Sequence, residues 1–284
     1  MLALSLLFST LLLVQGGPLG GDPCGAPLAE SDRASFRSDA ARFSLSLLGQ
    51  AAESQNANEN LFFSPASILL ALSMVRSGAE GETREEIDRA VSHLLHKSKT
   101  ETAHGWLHSE LNPATKQYEL HTANAVYVDQ SLSVKQRFLQ TLRSCFQSEE
   151  KKADFISQAE QEREHINTWV EEQTRDKIQD LIPSGALDAD TRMVLVNAIY
   201  FKGEWQHPFT TENSAFTRKA HFTGADGQRK QIDFMYMEAD FPYHEDEDAR
   251  VLALPYKGDE LRFYAILPKQ GEKSLEGGCG KEFP

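Results

Sequence analysis

Apolar positions recur at helical spacing from Ser31, where Ala34, Phe36, Ala40, Phe43, Leu45, Leu47 and Leu48 make an imperfect stripe that the polar segment Gly49–Asn60 ends. Leu61, Phe62 and Phe63 read as a short apolar strand. Ser64 followed by Pro65 predicts a helix start, because a serine hydroxyl caps free backbone N–H groups and proline fits the first helical position. That helix is expected to run to about Ser77, with Gly78 closing it. Its apolar residues, Ile68 to Leu72 with Met74 and Val75, lie on nearly all sides, which predicts a core helix covered on every face. Thr83 and Glu86 have capping-box spacing for the next helix, through Ile87 and Val91.

His121–Asp129 reads as a strand and Gln136–Phe146 as a helix. Over Gln158–Ile182, the spacing of Ile166, Trp169, Val170, Ile178 and Leu181 predicts one long surface helix. Thr191–Gly203 is a near-continuous apolar run rich in β-branched and aromatic residues, as in a strand covered on both faces. From Phe216 to Pro268 short strand-like runs alternate with turns at Ala225–Gly227 and Lys257-Gly258. Helices fill the first half and strands the second, so the expected class is α+β. Asn197 stands out in this pattern. Its carboxamide falls inside the apolar run, and hiding it without hydrogen bonds would cost on the order of 1 to 3 kcal/mol, so partners must wait for it.

Composition narrows the function. With 42 acidic against 29 basic residues among 284, the formal charge is −13, which repels phosphate backbones and anionic lipid and argues against nucleic acid as a partner. Leu2–Val14 is apolar, uncharged and followed by a Gly/Pro-rich stretch. Residues 1–20 therefore read as a signal peptide cut near Gly16–Gly21, and the mature protein is expected outside the cell and off the membrane. Cys24, Cys145 and Cys279 are too few and too scattered for a disulfide framework, and an odd count leaves at least one thiol free or paired to another molecule.

No stretch offers catalytic chemistry. His104 and His108 have the spacing that sets two ligands on one helix face, but Gly105 stands where a metalloprotease needs glutamate, so solvated surface histidines are expected. Ser148 and Lys151 match an SxxK string only as a fragment of a charged loop. Gly277–Lys281 lacks the Ser or Thr of a phosphate loop, and the acidic run Glu245–Asp248 lacks the spaced ligands of a calcium site. No enzyme, cofactor or metal is expected.

Four stretches in order, Asn60–Ile87, Ile166–Leu181, Thr191–Phe209 and Leu252–Pro268, together resemble the serpin family of protease inhibitors from about Ser31 to Pro268. The first carries Ser64, Pro65, Ser67, Gly78, Gly81 and Thr83 as that family has them. The resemblance implies N-terminal helices packed on a large mixed β-sheet, with two smaller sheets. It also implies an inhibitor that acts as a suicide substrate: a protease cleaves an exposed reactive loop, which inserts into the main sheet with the protease still acyl-linked. Two sites follow from it: a shutter that controls sheet opening, made of Ser64, Ser67 and Asn197, and a breach at the top of the sheet, at Trp205.

After Pro268 the sequence KQGEKSLEGGCGKEFP departs from the family, so the expected division is leader 1–20, partial domain 31–268 and divergent tail 269–284. The C-terminal strands and the reactive loop are then missing, and the third strand of the main sheet is left without the neighbour it should pair with. The 284 residues as written are expected to be non-inhibitory. In complete form the expected partner is an extracellular serine protease, and the protein a monomer. A non-inhibitory carrier or storage protein of the same fold is the alternative.

Overall fold

The computed structural model describes residue 24 and residues 27–53, 61–91, 99–111, 118–209, 216–223 and 228–269. The leader, the turn at Ala225–Gly227, Gly277–Lys281, Cys279 and all of the tail but Lys269 lie outside them. The chain divides into two compact units, one from Met1–Leu47, Phe62–Ala114 and Leu120–Tyr200, the other from Leu48–Leu61, Thr115–Glu119 and Phe201–Pro284.

Helix α1 (Glu30–Glu53), which belongs to the first unit as far as Leu47, carries on through Gly49, five residues into the polar segment expected to end it. Leu61–Phe63 is irregular rather than a strand. Helix α2 (Pro65–Gly78) starts as predicted: the Ser64 hydroxyl accepts the Ser67 N–H at 3.3 Å, and none of its residues is exposed. Helix α3 (Gly81–Val91) begins two residues before Thr83, which sits inside its first turn instead of capping it. Helix α4 (Thr100–Glu110) and helix α5 (Gln136–Phe146) complete this group. Arg76, only 1% exposed, is buried at the end of α2 between the carboxylates of Asp88 on α3 and Glu101 on α4.

Strand β1 (Tyr118–Asp129) is the middle strand of a three-stranded sheet. On one side it pairs in parallel with β2 (Glu149–Ala153), which the sequence pattern reads as a charged loop. On the other lies β3 (Met193–Gly203), antiparallel to β1: the Asp129 N–H donates to Arg192 C=O while Asn124 meets Asn197. Side chains alternate between faces. Ala125 and Tyr127 of β1, with Val194, Val196 and Ala198 of β3, pack under helix α6 (Phe155–Gln173). Val126, Val128 and Met193 face the opposite way, against Leu70 and Met74 of α2 and Leu139, Leu142 and Phe146 of α5. Residues 193–198 of β3 are thus covered on both faces, as its composition predicts, whereas Phe201 and Lys202 near its end are exposed.

The predicted long helix stops early. At Thr174 the side chain accepts the Ile178 N–H at 3.1 Å, and Arg175 and Asp176 turn left-handed with φ of 51° and 61°. The apolar residues beyond still reach the core, because side chains of α6 bind the returning chain. The Asn167 amide donates to and accepts from the Ile182 backbone at 2.9 Å each, Arg163 donates to Ile182 C=O at 2.8 Å, and the Glu160 carboxylate takes the Ser184 hydroxyl at 2.9 Å.

The second unit holds the hairpin β4 (Phe216–Thr223) and β5 (Arg229–Tyr236). It also holds an antiparallel sheet of β6 (Tyr243–Glu245), β7 (Ala249–Pro255) and β8 (Arg262–Pro268), in that order. Three sheets, one of them mixed, and helices gathered in the N-terminal half of the chain make the predicted α+β fold.

Removing one member of a buried ion cluster strands the others in low dielectric. An Arg76→Met protein is expected to lose about 3 to 5 kcal/mol of stability in urea unfolding; a loss below about 1 kcal/mol would show that Asp88 and Glu101 find water without it.

Candidate functional site

The strand alternation that sends Val126 and Val128 toward α2 and α5 puts Asn124 on that same face, and Asn197 follows Met193 and Leu195 there. Asn197 Nδ2 donates to Asn124 Oδ1 at 2.7 Å, and Asn124 Nδ2 donates to the carbonyl of Phe146 at 2.7 Å. Asn124 is 3% exposed. The partner that the sequence requires for Asn197 is thus a second asparagine, on β1, which in turn uses a carbonyl at the end of α5. Such a carbonyl is free to accept because the last turn of a helix has no further N–H to bind it.

Ser64 and Ser67 lie at the start of α2 in the same unit, and Ser64 is occupied with the Ser67 N–H. The hydrogen bond that Asn197 makes goes to Asn124, not to either serine. Asn197 Oδ1 and Ser67 Oγ are both buried and have no hydrogen-bond partner among the described residues. Asn124 had no signal of its own in the sequence beyond a polar residue in a strand. A polar cavity of about 210 Å³ opens beside it, lined by His108, Gln147, Glu149, Trp169 and Gln173.

His104 and His108 are not on the surface, as their spacing without a metal partner suggested, but 1% and 2% exposed. Helical spacing does set them on one face, and that face turns inward. His104 Nδ1 bonds Thr100 C=O at 2.7 Å, with the Phe36 ring edge-on at 5.1 Å and Phe146 stacked at 6.5 Å. Gly105 between them explains the turn. A Cβ there would come within 3.1 Å of the Cys145 carbonyl and 3.5 Å of Cys24 Cβ. Those two cysteines form a disulfide with Cα atoms 5.3 Å apart, so two of the three thiols pair across 121 residues of sequence.

In the second unit, Trp205 makes a bridge with Tyr256 and stacks on its ring at 4.5 Å, with Phe209 and Phe263 edge-on near 6 Å. Its neighbour Gly203 leaves room for this cluster, since a Cβ there would fall 2.5 Å from the Tyr256 ring. The acidic run after β6 is an ordinary turn: Asp246 accepts the N–H groups of Asp248 and Ala249 at 2.8 Å.

A family model described as serpin (serine protease inhibitor) matches residues 38–278. Human serpin B9 is 39% identical over 228 residues, which cover 78% of this chain and 60% of that protein. Mouse antithrombin-III is 36% identical over 240 residues, 82% of this chain and 51% of the relative. The chain spans about half the length of most of the curated relatives it matches. Among solved structures, ovalbumin from emu superposes with a TM-score of 0.75 at 28% identity, covering 82% of this chain and 63% of the other.

Burial pushes the His104 pKa down to about 4; the Thr100 bond works the other way, and the Arg76 charge adds to the lowering. Burial also lowers that of His108. Unfolded, His104 takes a proton near pH 6.5, so the stability present above that pH is lost progressively as pH falls toward 4, a loss on the order of 3 kcal/mol from this ring. Urea midpoints are expected to drop between pH 7.5 and pH 5, and His104→Gln to flatten that dependence. An unflattened curve would place the titration elsewhere.

Proposed function

Because this chain belongs to the serpin family, we propose that it is the body of a secreted serine protease inhibitor that works as a suicide substrate, with Ser64, Ser67 and Asn197 controlling the opening of its main sheet and Trp205 at the sheet's upper end. The mechanism needs no catalytic group in the inhibitor. Work is done by the sheet, which accepts the cleaved reactive loop as a new strand and drags the acyl-linked protease with it.

The observation that carries this reading is the state of Asn197. It sits on β3, the outermost described strand on its side of the sheet, with one half of its amide bound and the other half buried and unmatched. A buried polar atom with no partner is costly and rare. At a strand edge, it gives the sheet a polar contact to exchange when a strand is gained. Secretion is supported by the apolar leader and by the Cys24–Cys145 bridge, since disulfides persist in oxidising compartments. An extracellular serine protease is the partner that follows, met by a monomer.

The segment 269–284, KQGEKSLEGGCGKEFP, departs from the family's pattern and offers no stretch that resembles its reactive loop. The 284-residue protein is therefore expected to give no denaturant-stable band with serine or cysteine proteases. Joined to the C-terminal portion of serpin B9 beyond the matched segment, and shown to melt cooperatively, it is expected to form one. A band from the 284 residues alone, or none from the folded joined protein, would overturn the mechanism. In the joined protein Asn197→Ala is expected to shift melting by about 1 to 3 kcal/mol and to change the yield of complex; if both stay the same, the shutter assignment fails.

A further inference from the structure

We infer that the Cys24–Cys145 disulfide is a thiol-sensitive latch on the main sheet: it fixes the end of α5 so that the Phe146 carbonyl holds Asn124, and through Asn124 it holds Asn197 on β3. The inference rests on the reading of Asn197 as a residue that controls sheet opening.

Cys145 and Phe146 are adjacent, so the bridge and the carbonyl that anchors Asn124 are one peptide unit apart. The helix ends at that point. Gln147 turns left-handed with φ of 47°, and the Ser148 N–H returns to Leu142 C=O at 3.1 Å. Beyond Cys145, then, only a few hydrogen bonds and side-chain packing fix the direction of the Phe146 carbonyl. Both hydrogen bonds of the relay are 2.7 Å, at the short end of the ordinary range, and such bonds weaken steeply once the donor is turned away from its acceptor. Asn124 uses both ends of its amide in this relay, the oxygen for Asn197 and an N–H for Phe146, and is itself buried. On the far side of the bridge, α4 passes against it at Gly105, where a Cβ would come within 3.1 Å of the Cys145 carbonyl. A bridge so enclosed by α4 and α5 transmits the position of residue 24 to the sheet.

The reaction that opens the latch is thiol–disulfide exchange with an external dithiol. Cys24 is half-buried and Cys145 fully buried, so the reagent thiolate attacks the Cys24 sulfur and Cys145 leaves as thiolate, taking up a proton. The second thiol of the reagent then displaces Cys24, leaving two protein thiols and a reagent oxidised by two electrons.

Hydrogen–deuterium exchange on the full chain, oxidised or treated with dithiothreitol, tests this. Reduction is expected to speed exchange of the amides of residues 193–198 and 122–128 about tenfold or more while those of α1 stay within twofold. Asn197→Ala is expected to speed the same amides in the oxidised protein. Because coupling is reciprocal, oxidised Asn124→Ala should also be reduced about tenfold more readily in a dithiothreitol redox series, a readout that does not require the reduced protein to remain folded. Acceleration confined to the end of α5, with an unmoved redox midpoint in Asn124→Ala, overturns the latch and leaves the shutter standing. An Asn197→Ala protein with unchanged β3 exchange overturns the shutter reading instead.

Discussion

A carboxamide cannot be hidden from water without something to bind, and that constraint organises the centre of this molecule. Asn197 interrupts an apolar strand at a point where both faces of the sheet are covered. The N–H side of that amide is satisfied only if β1 offers an acceptor at the matching height, only if Asn124 is met in turn by a carbonyl, and only if α5 ends where that carbonyl is free. Strand register, helix length and packing of α5 on the sheet are therefore tied to one chain of two hydrogen bonds. Apolar burial alone would tolerate a slip of two residues along the strand; the amides do not.

Polar groups do comparable work around it. Arg76 gathers the ends of α2, α3 and α4 into one buried charge cluster, and His104 stays neutral among aromatic rings with its proton given to its own helix. The disulfide closes the same region covalently. A helical layer specified in this way has few alternative packings, because the hydrogen bonds and ion pairs its buried polar groups do make are available in few other arrangements. The β-rich second unit relies instead on aromatic stacking around Trp205.

Much of the fold was legible from local chemistry. Ser64-Pro65 marked the start of α2 to the residue, the apolar pattern bounded α5 correctly, and the run through Asn197 gave β3 within two residues. Misreadings came where tertiary partners overrode a pattern. Ile178 and Leu181 keep helical spacing after the helix has ended, because the chain folds back and buries them by another route. Strand β2 is charged because it lies along one side of β1 with much of its length toward water. The inward histidines could not be told from outward ones by spacing, since spacing names a face and not its direction. Asn124 carried no mark at all. Its role appears only when Asn197, 73 residues further on, lies beside it. The cysteine pair was open for the same reason: pairing depends on distance in space, and 121 residues of sequence hide it.

The segment between α6 and β3 has no helix or strand of its own, yet it is stitched along α6 at three rungs, Asn167 and Arg163 on Ile182 and Glu160 on Ser184. Those rungs climb from the middle of α6 toward its beginning. Any tension drawn along β3 from its first residue is therefore delivered near Glu160, at the front of the helix, and bypasses the buried turn at Thr174. Mechanically, the helix and the cord that follows it form a folded splint, and the short stretch before the sheet is itself tied, with Leu187 in the core and Thr191 bonded to Asp188 through both its N–H and its hydroxyl.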